Sequence, residues 1–303
     1  MAIASDSIRR ARPLLGTFVE IEVAGARRPD MDGAIDAAFD AIAQVHRLMS
    51  FHEPDSDVSR LNREAGIRPL SVHAWTFEVL ETAVELHRRS GGLFDITIAP
   101  ALQTMGLLPL VKDKPASAPI AGFADAIELL PDHTAHFRSA DVTIDLGGIA
   151  KGFAVDRAVA ALRDFGVPGG MVNAGGDLRA FGAEPRAVHV RDPRDPGQSI
   201  CRIDVADEAL ASTARRVELF DSSEPGCSAV IDPRTQRPAR LIDGVTIRAP
   251  SCMIADALTK IVMISGTDAG QLLKYYQAGA LLISADGDVQ ITSDWHHAVH
   301  LAA

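Results

Sequence analysis

The stretch TIDLGGIAKGFAVDRAVAALRDFG, residues 143–166, runs from an alternating apolar strand pattern through two adjacent glycines into a long helical pattern. Phe153, Ala158, Leu162 and Phe165 mark an apolar stripe on the helix. Helical geometry sets Lys151 on another face, about 160° from Phe153. That position is unexpected for a cation. The first N–H groups of a helix carry partial positive charge and favour a carboxylate. A bound anion would resolve the conflict, because Gly147 and Gly148 let backbone approach a ligand closely and the helix start offers free N–H groups for a phosphate. Strand, glycine turn and helix are also ordinary punctuation, and the stretch matches neither the Walker A pattern nor GxGxxG.

On its N-terminal side, LLGTFVEIEVAG alternates as a strand and MDGAIDAAFDAIAQVHRLMS repeats apolar residues at helical spacing through Ile35, Phe39, Ile42 and Val45. FHEPDSDVSRLNREAG reads as a polar, turn-rich loop. SVHAWTFEVLETAVELHRRSGG reads as a second amphipathic helix closed by Gly91 and Gly92, and LFDITIAPAL as a short strand plus loop. Residues 107–130 read as a surface connection before HTAHFRSADVTIDLGG, a hairpin leading into the opening stretch. Beyond it, GGMVNAGGDLRAFG, AVHVRDPRDPG and ICRIDVADEALAST look like short strands between turns. SCMIADALTKIVMISG and GTDAGQLLKYYQAG read as helices, and ALLISADGDVQITSD as a closing hairpin around Asp286 and Gly287. No repeat, low-complexity linker or charge block divides the chain. The expectation is a polar tail over residues 1–12 and one α+β domain over 13–303.

The 303 residues are 47% hydrophobic and 5% aromatic, enough for a large core of small aliphatic side chains. A net charge of −10 argues against nucleic acid or an anionic membrane as the main partner. Cys201, Cys227 and Cys252 are far apart, suggesting neither a zinc site nor a disulfide framework. No apolar run reaches the ~18 residues of a transmembrane helix. The start, MAIASDSIRRARP, lacks the apolar core of an export leader, so a cytoplasmic location is expected.

Three further segments could carry chemistry. In NAGGDLRAFG, Asn173, two glycines and Asp177 stand between strands, where glycine could admit a flat ring or a pyrophosphate and where tight-turn chemistry explains the residues as well. In FDIT, alternation sets Asp95 and Thr97 on one side of a strand and Phe94 and Ile96 on the other. Asp256, in ADALTKIVMISG, sits in an otherwise apolar helix and needs a partner. Lys260 at i+4 is one candidate, and a magnesium ion facing a diphosphate is the other. No metalloprotease or serine-hydrolase motif accompanies them.

In this order DLGGIAKGFAVD, MSFHEPDSDVSRLN, GGLFDITIAP, VNAGGDLRAFG, VHVRDPRDP, VIDPRT and ADALTK resemble the ApbE family, the FAD:protein FMN transferases. The resemblance covers nearly the whole chain. It implies a single domain of mixed sheets with packed helices, related to the T-fold. It further implies an enzyme that binds FAD, uses Mg²⁺ on the pyrophosphate, and transfers FMN to a Ser or Thr hydroxyl of a target flavoprotein with release of AMP. Some relatives hydrolyse FAD instead.

By matched position, Leu15 and His52 would flank the flavin, Phe94 and Asp95 would line the wall, and Asp145, Lys151 and Asp232 would contact FAD. Gly148 through its carbonyl and Asp256 through its carboxylate would hold the metal, with Asp256 and Lys260 carrying the catalysis. The chain departs from the pattern in these places: His52 stands for a usual Tyr, Ala229 for a His, Gln236 for a Gly, ALASTARR for the usual ATSG and Lys260 for a metal-binding Thr. An ammonium has no lone pair for a metal.

Overall fold

The computed structural model describes residues 7–25, 30–111, 126–195, 197–215, 228–284 and 286–301. The helices are α1 (Met31–Met49), α2 (Asp57–Glu64), α3 (Ala74–Arg89), α4 (Ala99–Thr104), α5 (Ala150–Asp164), α6 (Cys252–Ser265) and α7 (Gly270–Tyr275). The first nine strands are β1 (Ser7–Leu14), β2 (Thr17–Ala24), β3 (Leu70–Ser71), β4 (Ile127–Leu130), β5 (Thr134–Phe137), β6 (Gly170–Ala174), β7 (Asp177–Phe181), β8 (Arg186–Arg191) and β9 (Ser199–Val205). The remaining seven are β10 (Ala209–Ala214), β11 (Ile231–Asp232), β12 (Arg237–Pro238), β13 (Ile242–Ala249), β14 (Gly279–Ser284), β15 (Val289–Ile291) and β16 (Val299–Leu301).

An eight-stranded antiparallel sheet in the order β1-β2-β6-β7-β10-β13-β14-β15 is the spine. Strict alternation along its strands sorts side chains to two faces. Ala209, Ala211, Val245, Ile247, Ala280 and Leu282 face a helix layer of α1, α5 and α6. Leu178, Ala180, Leu210, Leu281 and Ile283 face the other way, against Trp295 and the small sheet β16-β9-β8. A third sheet, β3-β5-β4, adds Leu70, Ala135 and Phe137 to the helix-side core.

Helix α1 buries Met31, Ala34, Ile35, Ala38, Phe39, Ile42, Val45 and Met49, the spacing expected of a helix with one core face. Helix α6 is buried nearly all round because α5 lies beside it and β10 and β13 lie beneath. Among the described residues no helix is long and apolar enough to cross a membrane.

Four local readings are corrected. Residues 7–12, expected as polar tail, belong to β1, an edge strand exposed along most of its length; Arg9 pairs with Glu20, and Arg12 with Asp36. An edge strand of that kind shows no apolar alternation. The expected loop 51–66 contains α2, whose start Ser56 caps by accepting from Ser59 N at 3.0 Å. Its eight residues bury only Val58 and Leu61 as apolar groups, too few to show a period.

FDIT is not a strand: Ile96–Ile98 is a 3-10 turn opened by Asp95, which runs into α4 with a proline in its first turn. Finally, the hairpin before the opening stretch is β4–β5, and Val142–Leu146 belongs to none of the strands. Val142, Ile144 and Leu146 are buried in the helix-side core, so the alternation has a cause other than strand pairing. Most of the expected surface connection, residues 112–125, lies outside the described residues, as does Cys227.

Candidate active site

The site begins where α5 and α6 touch. A Cβ on Gly152 would lie 2.2 Å from the Cys252 carbonyl oxygen and 2.8 Å from Asp256 Cβ, so only glycine allows this approach. At that spacing each helix caps the other. Asp156 of α5 accepts from Cys252 N at 3.0 Å and Met253 N at 2.9 Å, the first N–H groups of α6. Asp256 of α6 accepts through Oδ2 from Gly152 N at 3.1 Å, in the first turn of α5. Each carboxylate thus faces the positive end of the other helix. Arg179 Nη1 holds Asp156 from β7 at 2.6 Å.

Four charged side chains converge there. Asp256 is fully buried, and its Oδ1 receives the Lys260 ammonium. Lys151 Nζ donates to Asp177 Oδ2 at 2.5 Å from the partly exposed rim. Burial opposes ionisation of Asp256, but the Lys260 and Lys151 cations and the Gly152 N–H hold its carboxyl below the usual range. For Asp177, burial and then the Asp256 charge win over Lys151 and push it up to about 6. Burial works against the Lys151 ammonium, yet the two carboxylates hold its pKa above the ordinary lysine value. Asp177 Oδ1 is buried and unpartnered.

Lys260 Nζ also lies 3.5 Å from Thr213 Oγ1, which shares a 2.8 Å hydrogen bond with Thr259; Thr259 donates to the Asp256 carbonyl at 2.6 Å. A Cβ on Gly148 would fall 3.6 Å from Lys260 Cε and 3.7 Å from the Phe94 ring. The glycine turn therefore lies directly against the lysine stem. Lys151 and Asp256, the two residues on which the sequence reading depends, belong to one cluster.

The other expected residues reach this centre in different ways. Leu15 and Gly16 form the two-residue β1–β2 turn, both at positive φ, and Thr17 beside them packs where a Cβ on Gly175 would be 2.6 Å from its Oγ1. Gly175 opens the β6–β7 turn that delivers Asp177, with Asn173 Oδ1 accepting from Gly176 N at 2.9 Å. Asp145 is half-buried; burial raises its pKa, while the Gly147 N–H, His52 and Lys260 pull the other way.

His52 is exposed, with its ring edge-on to Phe51, and lines a groove of about 390 Å³ with Phe51, Asn62, Arg63, Leu110 and Val111. Asp95 is buried and accepts from Thr97 N and Oγ1, both at 2.7 Å, while His87 Nδ1 contacts the Phe94 carbonyl at 2.9 Å. Asp95 thus shapes the wall by holding its own turn. Asp232 stands apart: its carboxylate is bound by Arg234 N, Nε and Nη2 within the β11–β12 turn, and Arg234 holds its pKa low.

Sequence reasoning missed Asn62, Asp156 and Thr213. Asn62 bonds the backbone of Ile144 at both N–H and carbonyl, at 2.8 and 2.9 Å, and so fixes the strand-like run into Asp145. Only Asp156 left a signal, the i+4 spacing of Gly152 and Asp156 repeated by Cys252 and Asp256.

The implied magnesium would have to find its ligands among these donors. The ion takes oxygen ligands in near-octahedral array at about 2.1 Å. Each Asp256 oxygen already holds a donor, Oδ2 the Gly152 N–H and Oδ1 an ammonium, and that ammonium repels a dication brought to the same carboxylate. Among the described residues no group of three His, Cys, Asp or Glu side chains is assembled for a metal. The arrangement of Gly148, Asp256 and Lys260 does not fit the ion.

Known proteins share this fold. Two FAD:protein FMN transferases are similar in sequence: one from Vibrio cholerae, 27% identical over 76% of this chain and 72% of its own length, and one from Treponema pallidum, 26% identical over 94% and 86%. In structure, the ApbE protein of Thermotoga maritima superposes with a TM-score of 0.85 at 24% identity, covering 97% of this chain and 99% of its own. The flavin transferase ApbE of Vibrio cholerae gives 0.80 at 23%, covering 96% and 98%. The model of the ApbE family matches residues 15–282, which span the β1–β2 turn, the glycine turn, both capping helices and the charged cluster between them, and the chain belongs to that family.

Proposed function

We propose that this chain is a FAD:protein FMN transferase, moving the FMN part of FAD to a Ser or Thr hydroxyl of an acceptor flavoprotein and releasing AMP. One observation carries the reading: the glycine turn, Lys151 and the Asp256–Lys260 pair meet at the start of α5, and Asp145 lies within electrostatic reach of both Lys260 and the groove residue His52. The names of the sequence relatives support it.

The chemistry asks little covalent work of the protein. The acceptor oxygen attacks the FMN-side phosphorus, the bridging P–O bond breaks, and AMP leaves with the bridging oxygen while the hydroxyl proton ends on its phosphate or in solvent. Negative charge grows on the departing phosphate. Ammonium groups and helix-end N–H groups fixed beforehand stabilise that charge without reorganising. Lys151 and Lys260 are the cations placed for it, and Asp177 and Asp256 hold them in position. The apolar side of the groove, from Phe51, His52 and Leu110, suits a flat ring.

The test is to mix purified protein with FAD, with and without an acceptor flavoprotein domain, and to follow AMP release together with covalent flavin fluorescence. Both are expected, the fluorescence only with the acceptor. AMP without covalent flavin makes the protein a FAD pyrophosphatase. FAD retention with no AMP under any metal makes it a FAD-binding protein.

A further inference from the structure

We propose that Lys260 stands in place of a divalent cation in this chain: its ammonium closes the Asp256 carboxylate to metal and itself faces the phosphoanhydride, so that FAD binds without a metal ion. The identity of the ligand rests on the proposed function; the role of the lysine does not.

Three observations support it. Asp256 is 0% exposed and has both oxygens occupied, by Gly152 N–H and by Lys260, so a metal could enter only by expelling a cation from a buried pair. The lysine is not sealed in: its side chain is 19% exposed, and its stem lies against Gly148 in the turn expected to meet phosphate. An ammonium has three donors. One serves Asp256 and one points to Thr213 at 3.5 Å, which leaves the third for a phosphate oxygen. Lys151 on Asp177 brings a second positive charge to the same cluster. Two ammonium groups, each fixed by a carboxylate, then offer the positive donors that a magnesium ion would otherwise replace.

The experiment has two readouts on the intact protein. Loss of the free Mn²⁺ electron-paramagnetic-resonance signal measures metal binding with Mn²⁺ alone, and quenching of flavin fluorescence measures FAD affinity in EDTA and in Mg²⁺. Wild type is expected to leave the Mn²⁺ signal unchanged, and its FAD affinity to differ by less than about threefold between the two buffers. Lys260→Thr frees a carboxylate oxygen beside the Thr213 hydroxyl. It is expected to take up Mn²⁺, to lose about tenfold or more in FAD affinity in EDTA, and to recover it in Mg²⁺. Lys260→Arg retains a cation and should remain indifferent to EDTA, which keeps the test decisive if Lys260→Thr folds poorly.

Stoichiometric Mn²⁺ binding by wild type, or FAD binding that collapses in EDTA, overturns the proposal. If FAD binds in neither buffer, the transferase reading fails. The Mn²⁺ titration then decides the role of the lysine alone: no uptake supports it, and uptake overturns it.

Discussion

Gly152→Ala is the sharpest test of the site's construction, because two effects of opposite sign compete at that position. In the first turn of a helix, alanine in place of glycine favours the helix by at most about 1 kcal/mol. Against that, the added methyl would meet the Cys252 carbonyl oxygen at 2.2 Å and its carbon at 2.6 Å. Both are backbone atoms, which no rotamer change can move aside. Restoring ordinary contact requires α5 and α6 to separate by about 1 Å, and overpacking of this kind costs about 3 kcal/mol where backbone must shift. The same movement stretches the 3.1 Å bond from Gly152 N to Asp256, and a buried carboxylate that loses a donor costs a further 1 to 3 kcal/mol, roughly.

The clash therefore outweighs the propensity, for a net loss of about 3 to 5 kcal/mol, measurable as a fall in the urea midpoint at unchanged slope. Function should suffer more steeply, since a misplacement of about 1 Å among groups that bind a reacting centre can lower the rate about 100-fold. AMP release under saturating FAD reads that effect. Gly33→Ala is the control. Gly33 lies in α1, and a Cβ there meets nothing nearer than the Phe165 ring at 3.9 Å, so that variant should gain about 0.5 to 1 kcal/mol. If Gly152→Ala matches wild type within about 0.5 kcal/mol and releases AMP normally, helix contact at residue 152 does not set the geometry of Asp256.

Two further outcomes follow from single residues. Asp177 titrates at about 6 in the fold against 3.8 for an ordinary aspartate. Its folded pKa is the higher one, so its contribution favours the fold at low pH and is lost as pH rises through about 6. Relative to Asp177→Asn, wild type should lose about 3 kcal/mol of stability between roughly pH 4 and pH 7, read from denaturation curves across that range; a constant difference would refute the shift. Asn62→Leu leaves the Ile144 N–H and carbonyl without their partners in a buried place, and should destabilise by about 2 to 4 kcal/mol in the same denaturation assay. A neutral result would mean that the run into Asp145 is held by packing alone.

What could be read from the sequence was what depends on neighbours along the chain. Helices α1, α3, α5 and α6 announced themselves by spacing, and the β6–β7 and β14–β15 hairpins by their glycine turns. What failed was decided by partners far away. Val142–Leu146 has the alternation of a strand, but its partner is the side chain of Asn62, 82 positions earlier than Ile144. The spacing that repeats Gly152 and Asp156 in Cys252 and Asp256 does not say that Asp156 caps α6; that depends on Cys252 N, 96 residues later, coming to it. Asp256 was legible as a buried charge in need of a partner, and Lys260 as the nearest candidate. That Gly152 would also reach it depended on an interhelix distance that no periodicity encodes.

The lysine at the wrong end of α5 gains its explanation from this arrangement. A cation in a first helical turn is unfavourable only while the N–H groups beside it remain uncompensated. Here Asp256, delivered from another helix, meets the N–H of Gly152, and Asp177, delivered from β7, meets the ammonium of Lys151. Both acids come from elements that also form the core, so the positive groups are held in place before any ligand arrives. A diphosphate entering over the glycine turn then finds positive groups whose positions are set by carboxylates beneath them. Such preorganisation favours the charge that develops on a leaving phosphate over the charge of the ground state only if the cations stay where they are as the bond breaks. The buried acids are what would keep them there, which is why removing Asp177 or Asp256 should lower the rate of AMP release more than it weakens FAD binding.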